Sequence, residues 1–183
     1  MAKGIRVAST ERAVFVRVVG RGNYLNSQPV RRYLLEMLAS GHRAFVVDLS
    51  QCQGLDSTFL GVLSGIGLQL FQSGAPGQVQ IVNASSHSLE SLRILRLDCL
   101  LQIVAPLDAT LPPPPADAQF QFLPGTDRPP AGGPLDPSIT QLMLKAHSDL
   151  VRVDKANEPK FRDVIRLLRE DIARRRPTES KPE

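Results

Sequence analysis

The sequence predicts an α/β fold in which a mostly parallel sheet is covered by helices and followed by a helical C-terminal extension. Two observations predict it. β-branched apolar runs alternate with segments whose apolar residues recur at helical spacing, and strands separated by helices form parallel sheets. Of the 183 residues 42% are hydrophobic but only 5% are aromatic, so the core is expected to be aliphatic.

Residues 1–108 are predicted to contain the order β-β-α-β-α-β-α-β. Val14, Val16 and Val18 lie in the second of these strands, which ends at glycines. Pro29 fits the first turn of a helix that begins at Asn26. The predicted strands cover 5–8, 13–19, 44–49, 78–83 and 100–104, and the predicted helices begin near 26, 57 and 89. This unit holds a complete set of strands and helices, so we expect it to fold without the rest of the chain.

A proline-rich arm is predicted over residues 109–136, because nine of the 15 prolines lie between Pro112 and Pro137. Such a stretch forms neither a continuous helix nor an inner strand. Phe120 and Phe122 alternate with glutamines there and indicate a short edge strand.

Two amphipathic helices are predicted in the C-terminal extension, residues 137–176, before a disordered tail over 177–183. Asp136-Pro137-Ser138 is a helix start, and Phe161 and Leu168 share one face of the second helix. That apolar face either packs against the preceding domain or docks a partner or a second copy of the chain.

Charge and cysteine content exclude several classes of protein. The net charge is +4, but the only unopposed basic run, Arg174-Arg175-Arg176, ends a predicted helix, where cations suit the dipole. We therefore expect no nucleic acid partner. No apolar stretch is long enough to span a membrane, and Met1–Ile5 is not followed by a signal-peptide core. Cys52 and Cys99 are expected to be reduced thiols in a cytoplasmic protein.

Catalytic and metal-binding patterns are not found in the sequence. There is no G-x-S-x-G turn and no phosphate-binding glycine loop. His42, His87 and His147 show no ligand spacing, so each is expected at the surface, and no metal or cofactor is predicted. Gly61, Gly65 and Gly67 are expected to allow a helix to pack closely on the sheet. The sequence thus predicts a protein that is not an enzyme, and a hydrolase built on Ser57 is disfavoured because no base is evident.

One motif stands out where a buried strand, Val46 to Leu49, is followed by a loop that leads to Asp56-Ser57-Thr58. These residues are ordinary helix N-caps, because their oxygens accept free backbone N–H groups. Alternatively, Ser57 is a phosphorylation site, since a helix N-terminus favours a phosphate.

Together with Leu60-Gly61-Val62-Leu63 and the element order, this motif resembles the STAS domain family of sulfate-transporter tails and anti-sigma factor antagonists. The resemblance covers residues 4–108. It implies that Ser57 is phosphorylated by an anti-sigma factor that is also a serine kinase, and that a phosphatase restores the free hydroxyl. It places partner contacts at Asp56, Thr58, Phe59 and Asn23, although the family usually has Gly at the position of Phe59 and often Asp at that of Asn23.

The resemblance implies a phosphorylation-controlled binding module, similar to an anti-sigma factor antagonist, in a partner-switching pathway that regulates transcription. The alternative is a STAS scaffold or ligand-binding subunit of a larger assembly that has no phosphorylation switch. Homo-oligomers through the C-terminal helices are possible in either case.

Overall fold

The predicted alternation of strands and helices is present in the computed structural model, which describes residues 3–104, 115–116, 119–127 and 135–175. The strands are β1 Gly4–Ser9, β2 Val14–Gly22, β3 Ala44–Asp48, β4 Cys52–Leu55, β5 Gln78–Val82, β6 Gln102–Val104 and β7 Gln121–Phe122. The helices are α1 Tyr24–Ala39, α2 Ser57–Gln72, α3 Ser86–Ile94, α4 Pro137–Val153 and α5 Glu158–Arg175, with 3-10 helices at Leu97–Cys99 and Lys155–Asn157.

The strands form one mixed sheet in the order β6-β5-β3-β2-β1-β7. The four strands from β6 to β2 are parallel, whereas β1 is antiparallel to both β2 and β7. β4 pairs in parallel with the C-terminal end of β2, outside this path. The predicted class, a mostly parallel sheet covered by helices, is therefore confirmed.

The main hydrophobic core lies between the sheet and the helices. It is aliphatic apart from a few phenylalanines, as the composition predicts; its fully buried large residues include Ile5, Leu34, Phe45, Phe59, Leu60, Leu63, Ile81 and Leu92. Leu142, Leu150 and Phe161 of the extension belong to the same core. The C-terminal helices therefore complete the core of residues 1–108, and of the two alternatives for their apolar face, packing against the domain is the one observed.

The opposite face of the sheet carries a buried ion pair. Arg17 Nε lies 2.8 Å from Asp48 Oδ2, and the Arg17 guanidinium stacks 4.2 Å from the centre of the Phe120 ring. Burial raises the pKa of Asp48, but hydrogen bonds from Asn83, Ser50 and Arg17 outweigh it and hold that pKa below the usual value of 3.8. The arm is thus anchored to the sheet through Phe120, beside the edge strand β7 that its sequence pattern predicts.

Several boundaries differ from the sequence prediction. β4 is absent from the prediction, which treats Cys52–Leu55 as loop. α1 begins at Tyr24, ahead of the predicted Asn26, because Asn23 and Asn26 form a capping box. The tail 177–183 and most of the arm lie outside the described residues, and the division of the chain into four segments, 1–108, 109–136, 137–176 and 177–183, stays a prediction. In the part of the chain that is described, every helix is too short or too polar to cross a bilayer.

Candidate functional site

The carboxylate of Asp56 holds the starts of two helices together. Its Oδ1 accepts a hydrogen bond from Phe59 N of α2 at 2.8 Å, and its Oδ2 accepts one from Tyr24 N of α1 at 2.8 Å. Its own N–H donates to Gly22 O at the end of β2. Asp56 therefore satisfies one otherwise free N–H of each helix and fixes both helix starts to the C-terminal end of the sheet.

Asn23 caps α1 beside this carboxylate. Its side-chain oxygen accepts from Leu25 N at 3.0 Å and Asn26 N at 3.4 Å, and Asn23 N donates to Asn26 Oδ1 at 2.9 Å. Asn26 also donates to Arg21 O. The side-chain oxygen of Asn23 is thus engaged in a local structural role, and the residue is half-buried.

Ser57 is the first residue of α2 and is half-buried. Its hydroxyl oxygen lies 3.0 Å from Nε2 of His147, a residue of α4 that is 90 positions later in the chain. The other ring nitrogen, Nδ1, lies 2.7 Å from Met143 O. A carbonyl oxygen only accepts, so Nδ1 carries the proton of a neutral ring, and Nε2 accepts a hydrogen bond from the Ser57 hydroxyl.

His147 is held in this position on all sides. It is 3% exposed, and the Phe161 ring of α5 lies 5.0 Å from it, tilted by 51°. Burial lowers the pKa of His147 below 6.5, although the Met143 carbonyl and the negative charge of Asp56 act in the opposite direction. The imidazole is therefore neutral at pH 7 and able to accept a proton.

Close packing of α4 on α2 brings the two side chains together. A Cβ atom on Gly61 would lie 2.5 Å from Ala146 O, and one on Gly65 would lie 2.9 Å from Asp149 Oδ2. Asp149 is itself buried and paired with Lys145 and Arg152. The sequence predicts that these two glycines allow α2 to pack closely on the sheet. That prediction is wrong about the packing partner, because both glycines face α4 of the extension.

Thr58 and Phe59 lie inside the domain. They are 2% and 0% exposed, and a Cβ atom on Gly22 would lie 2.9 Å from the Phe59 ring. The expected partner contacts at these two positions therefore need a correction, because neither side chain reaches the surface in this structure. Of the predicted site residues, Asn23, Asp56 and Ser57 are gathered at one edge of the domain and are partly accessible.

His147 is the residue that the sequence prediction misses. It is expected at the surface, like His42 and His87, but it is buried against Ser57. Its position among the apolar residues of α4 is the one local signal, since a histidine on a buried helix face needs a hydrogen-bond partner. The stated reason for disfavouring chemistry at Ser57, the lack of a base, is overturned by this contact.

Metal-binding clusters are not found among the described residues, where no group of three His, Cys, Asp or Glu side chains converges. Cys52 is half-buried and Cys99 is exposed, and both are free thiols. Burial raises the pKa of the Cys52 thiol, and hydrogen bonds with Gly54, Gly22 and Ser88 offset this only in part, so the thiol is protonated and unreactive at neutral pH.

Comparison with known proteins places the domain that carries Asp56 and Ser57 in a family. The family model described as "Mlab, STAS domain" matches residues 5–103, more than half of the chain. No curated protein sequence matches the chain.

Among solved structures, the NMR structure of TM1081, a protein of Thermotoga maritima, aligns at a TM-score of 0.50 and 20% identity over 55% of this chain and 80% of that one. A crystal structure of TM1081, titled as a candidate anti-sigma factor antagonist, gives 0.49 and 21% over 54% and 84%. Phosphorylated SpoIIAA, a cell fate determinant of Bacillus, gives 0.47 and 14% over 57% and 94%. At 20% identity, the similarity to the NMR structure of TM1081 concerns the fold alone.

Proposed function

This chain belongs to the STAS domain family, and we propose that it is a phosphorylation-controlled protein-binding module with Ser57 as its acceptor. STAS domains of the anti-sigma factor antagonist kind are typically binding modules and not enzymes. By resemblance, the partners are an anti-sigma factor that is also a serine kinase, and a phosphatase. A cytoplasmic location and homo-oligomers through the C-terminal helices are further predictions of this resemblance.

The position of Ser57 is the observation that carries the proposal. Its hydroxyl lies at the first residue of α2, next to the Asp56 cap, at a partly accessible edge of the domain. A phosphate at a helix N-terminus is favoured by the helix dipole and the nearby backbone N–H groups. It would bring roughly −1.5 to −2 charges at pH 7. The folded domain tolerates that charge, whereas a partner that must bury it does not.

The alternative is a STAS scaffold subunit without a switch. One observation favours it: the Ser57 hydroxyl already donates to His147, so the extension lies against the residue that a kinase must reach. A partner of such a subunit would bind the domain and the extension together, and its affinity would not depend on the state of Ser57.

Binding of the native partner to variants of the full chain distinguishes the two functions. The partner is captured from the cells that make this protein, and Ser57 is mapped for phosphate. Ser57→Asp should bind more than a hundredfold more weakly than the wild type, which corresponds to about 3 kcal/mol. Ser57→Ala should bind constitutively.

Ser86→Asp is the matched control, because Ser86 is likewise the first residue of a helix, α3, behind a serine cap. It should bind as the wild type does. Equal binding of Ser57→Asp and wild type, with no phosphate on Ser57 in cells, would reject the switch in favour of the scaffold function.

A further inference from the structure

The contact between Ser57 and His147 joins a nucleophile to a base. We infer that His147 takes up the Ser57 hydroxyl proton when Ser57 attacks a phosphoryl donor, and that it keeps this proton as an imidazolium beside the bound phosphoryl group. The inference rests on the proposed role of Ser57 as the acceptor. It assigns to the C-terminal extension a part in the modification, because His147 belongs to α4.

Two features of the geometry support this role. The Oγ–Nε2 distance of 3.0 Å allows direct proton transfer. Met143 O holds Nδ1–H at 2.7 Å, so the ring presents a free lone pair to the hydroxyl. A nucleophile in contact with a base that a third group orients is the arrangement that activates serine elsewhere.

The electrostatic surroundings favour both the start and the end of the step. The ring starts neutral because it is buried between α2, α4 and Phe161 of α5. Asp56 caps α2 next to Ser57, and its negative charge stabilises the imidazolium that forms. The N-terminus of α2 stabilises the negative charge that develops on the phosphoryl oxygens.

The transfer involves only Ser57, His147 and the phosphoryl donor. Ser57 Oγ forms a bond to the phosphorus of the donor as the bond from phosphorus to its leaving group breaks. The hydroxyl proton moves to His147 Nε2, and the leaving group departs with the bonding electron pair. The esterified Oγ no longer donates a hydrogen bond. The lone pair on Nε2 of a neutral His147 would then face oxygen lone pairs of the phosphoserine and be repelled by them. Protonated His147 removes this repulsion because Nε2–H then donates to the phosphoryl group.

Ser86 provides an internal comparison. It occupies the first position of α3, as Ser57 does in α2, and it is exposed. Among the described residues no histidine is hydrogen-bonded to Ser86. If a helix N-terminus alone activated a serine, both residues would react; if His147 is required, only Ser57 reacts.

A fluorophosphonate ester that carries a fluorophore tests the step on the full chain, because serine displaces its fluoride as it would displace the leaving group of a phosphoryl donor. Mass spectrometry should locate the label at Ser57 and not at Ser86. His147→Gln keeps a polar side chain but removes the base, and should slow labelling by about 100-fold. The wild-type rate should fall as the pH drops through the lowered pKa of His147, below 6.5.

His42→Gln is the control, since His42 lies 3.1 Å from Ser40 Oγ just before the N-terminal end of β3, whereas the start of α2 is bonded to the C-terminal end of β2, which runs parallel to β3. It should label as the wild type does, and a thermal melt confirms that each variant is folded. A lack of labelling at Ser57, or equal rates for His147→Gln and wild type, would overturn the inference.

A second measurement needs no reaction. The pKa of His147, followed by NMR, should rise in Ser57→Asp relative to wild type, because a carboxylate then faces Nε2, and should stay unchanged in Ser86→Asp. An unchanged pKa in Ser57→Asp would also overturn the inference. Both tests use this chain alone. A negative result in them overturns the role of His147 alone. A negative result in the partner-binding experiment would reject the proposed switch but leave the reactivity of Ser57 in place.

Discussion

Replacing Gly61 with alanine tests whether α4 is docked on α2 as the structure shows. Helix interiors prefer alanine to glycine by about 1 kcal/mol, so Gly61→Ala in an open helix would stabilise the protein. In the docked arrangement the new Cβ lies 2.5 Å from Ala146 O and 2.7 Å from Ala146 Cβ. Carbon atoms pack best at roughly 3.5–4.0 Å, so α4 must move by about 1 Å.

The magnitude follows from these two opposing effects. Overpacking of a close contact costs about 1–3 kcal/mol, and the upper end applies because the atoms in the way belong to a backbone. After the gain in helix propensity, the free energy of unfolding should fall by about 2 kcal/mol. The same shift of α4 lengthens the contact from Ser57 to His147, so phosphonate labelling of Ser57 should also slow.

Urea denaturation followed by circular dichroism measures the change. Gly65→Ala should destabilise less, because its Cβ approaches only side-chain atoms of Asp149, at 2.9 Å, and no backbone atom of α4. Gly54→Ala is the control: nothing lies within 4 Å of its Cβ, so the free energy of unfolding should change by no more than about 0.5 kcal/mol. If Gly61→Ala stabilises the protein, α4 does not rest on α2 in solution, and the assignment of His147 as the base is wrong.

Two further predictions concern α5 and the buried ion pair. Leu168→Ala should lower the free energy of unfolding by about 2–5 kcal/mol because this residue is only 8% exposed. Its neighbour Leu167 is 51% exposed, so Leu167→Ala is the control and should change stability little. Equal melting curves for the two variants would contradict the packing of α5. The pKa of Asp48 is lowered in the folded state, so its stabilisation is complete above 3.8 and is lost as the pH falls through the lower folded value. Asp48→Asn should therefore flatten the acid dependence of stability, and an unchanged slope would show that the carboxylate is not held in its charged form.

The sequence predicts the apolar strands and helices well because the spacing of apolar residues along the chain shows which face of each element is buried. It does not predict β4, since Cys52–Leu55 is short, contains Gly54 and is a strand only through pairing with β2. The same limit applies to His147, whose partner is 90 residues away.

The surroundings of Gly61 show the same limit. The small residue indicates close packing, but whether a sheet or a helix fills the space depends on tertiary contacts. For the site, the motif at Asp56 and Ser57 is visible in the sequence, whereas the base beside Ser57 and the burial of Phe59 are not.

The pairing of β4 with β2 has a consequence for how much the length of this chain can vary. Gly54 and Leu55 are in register with Arg21 and Gly22, and Asp56 N is bonded to Gly22 O. The register shifts by one residue between Cys52 and Gly54, so Gln53 is an extra residue on β4, and only Gly54 to Asp56 continue in a single register along β2. An insertion or deletion of one residue at Gly54 or Leu55 would slip this register and turn alternate side chains to the other face. A change of length at Gly54 or Leu55 would therefore move Ser57, because these two residues set its distance from the sheet.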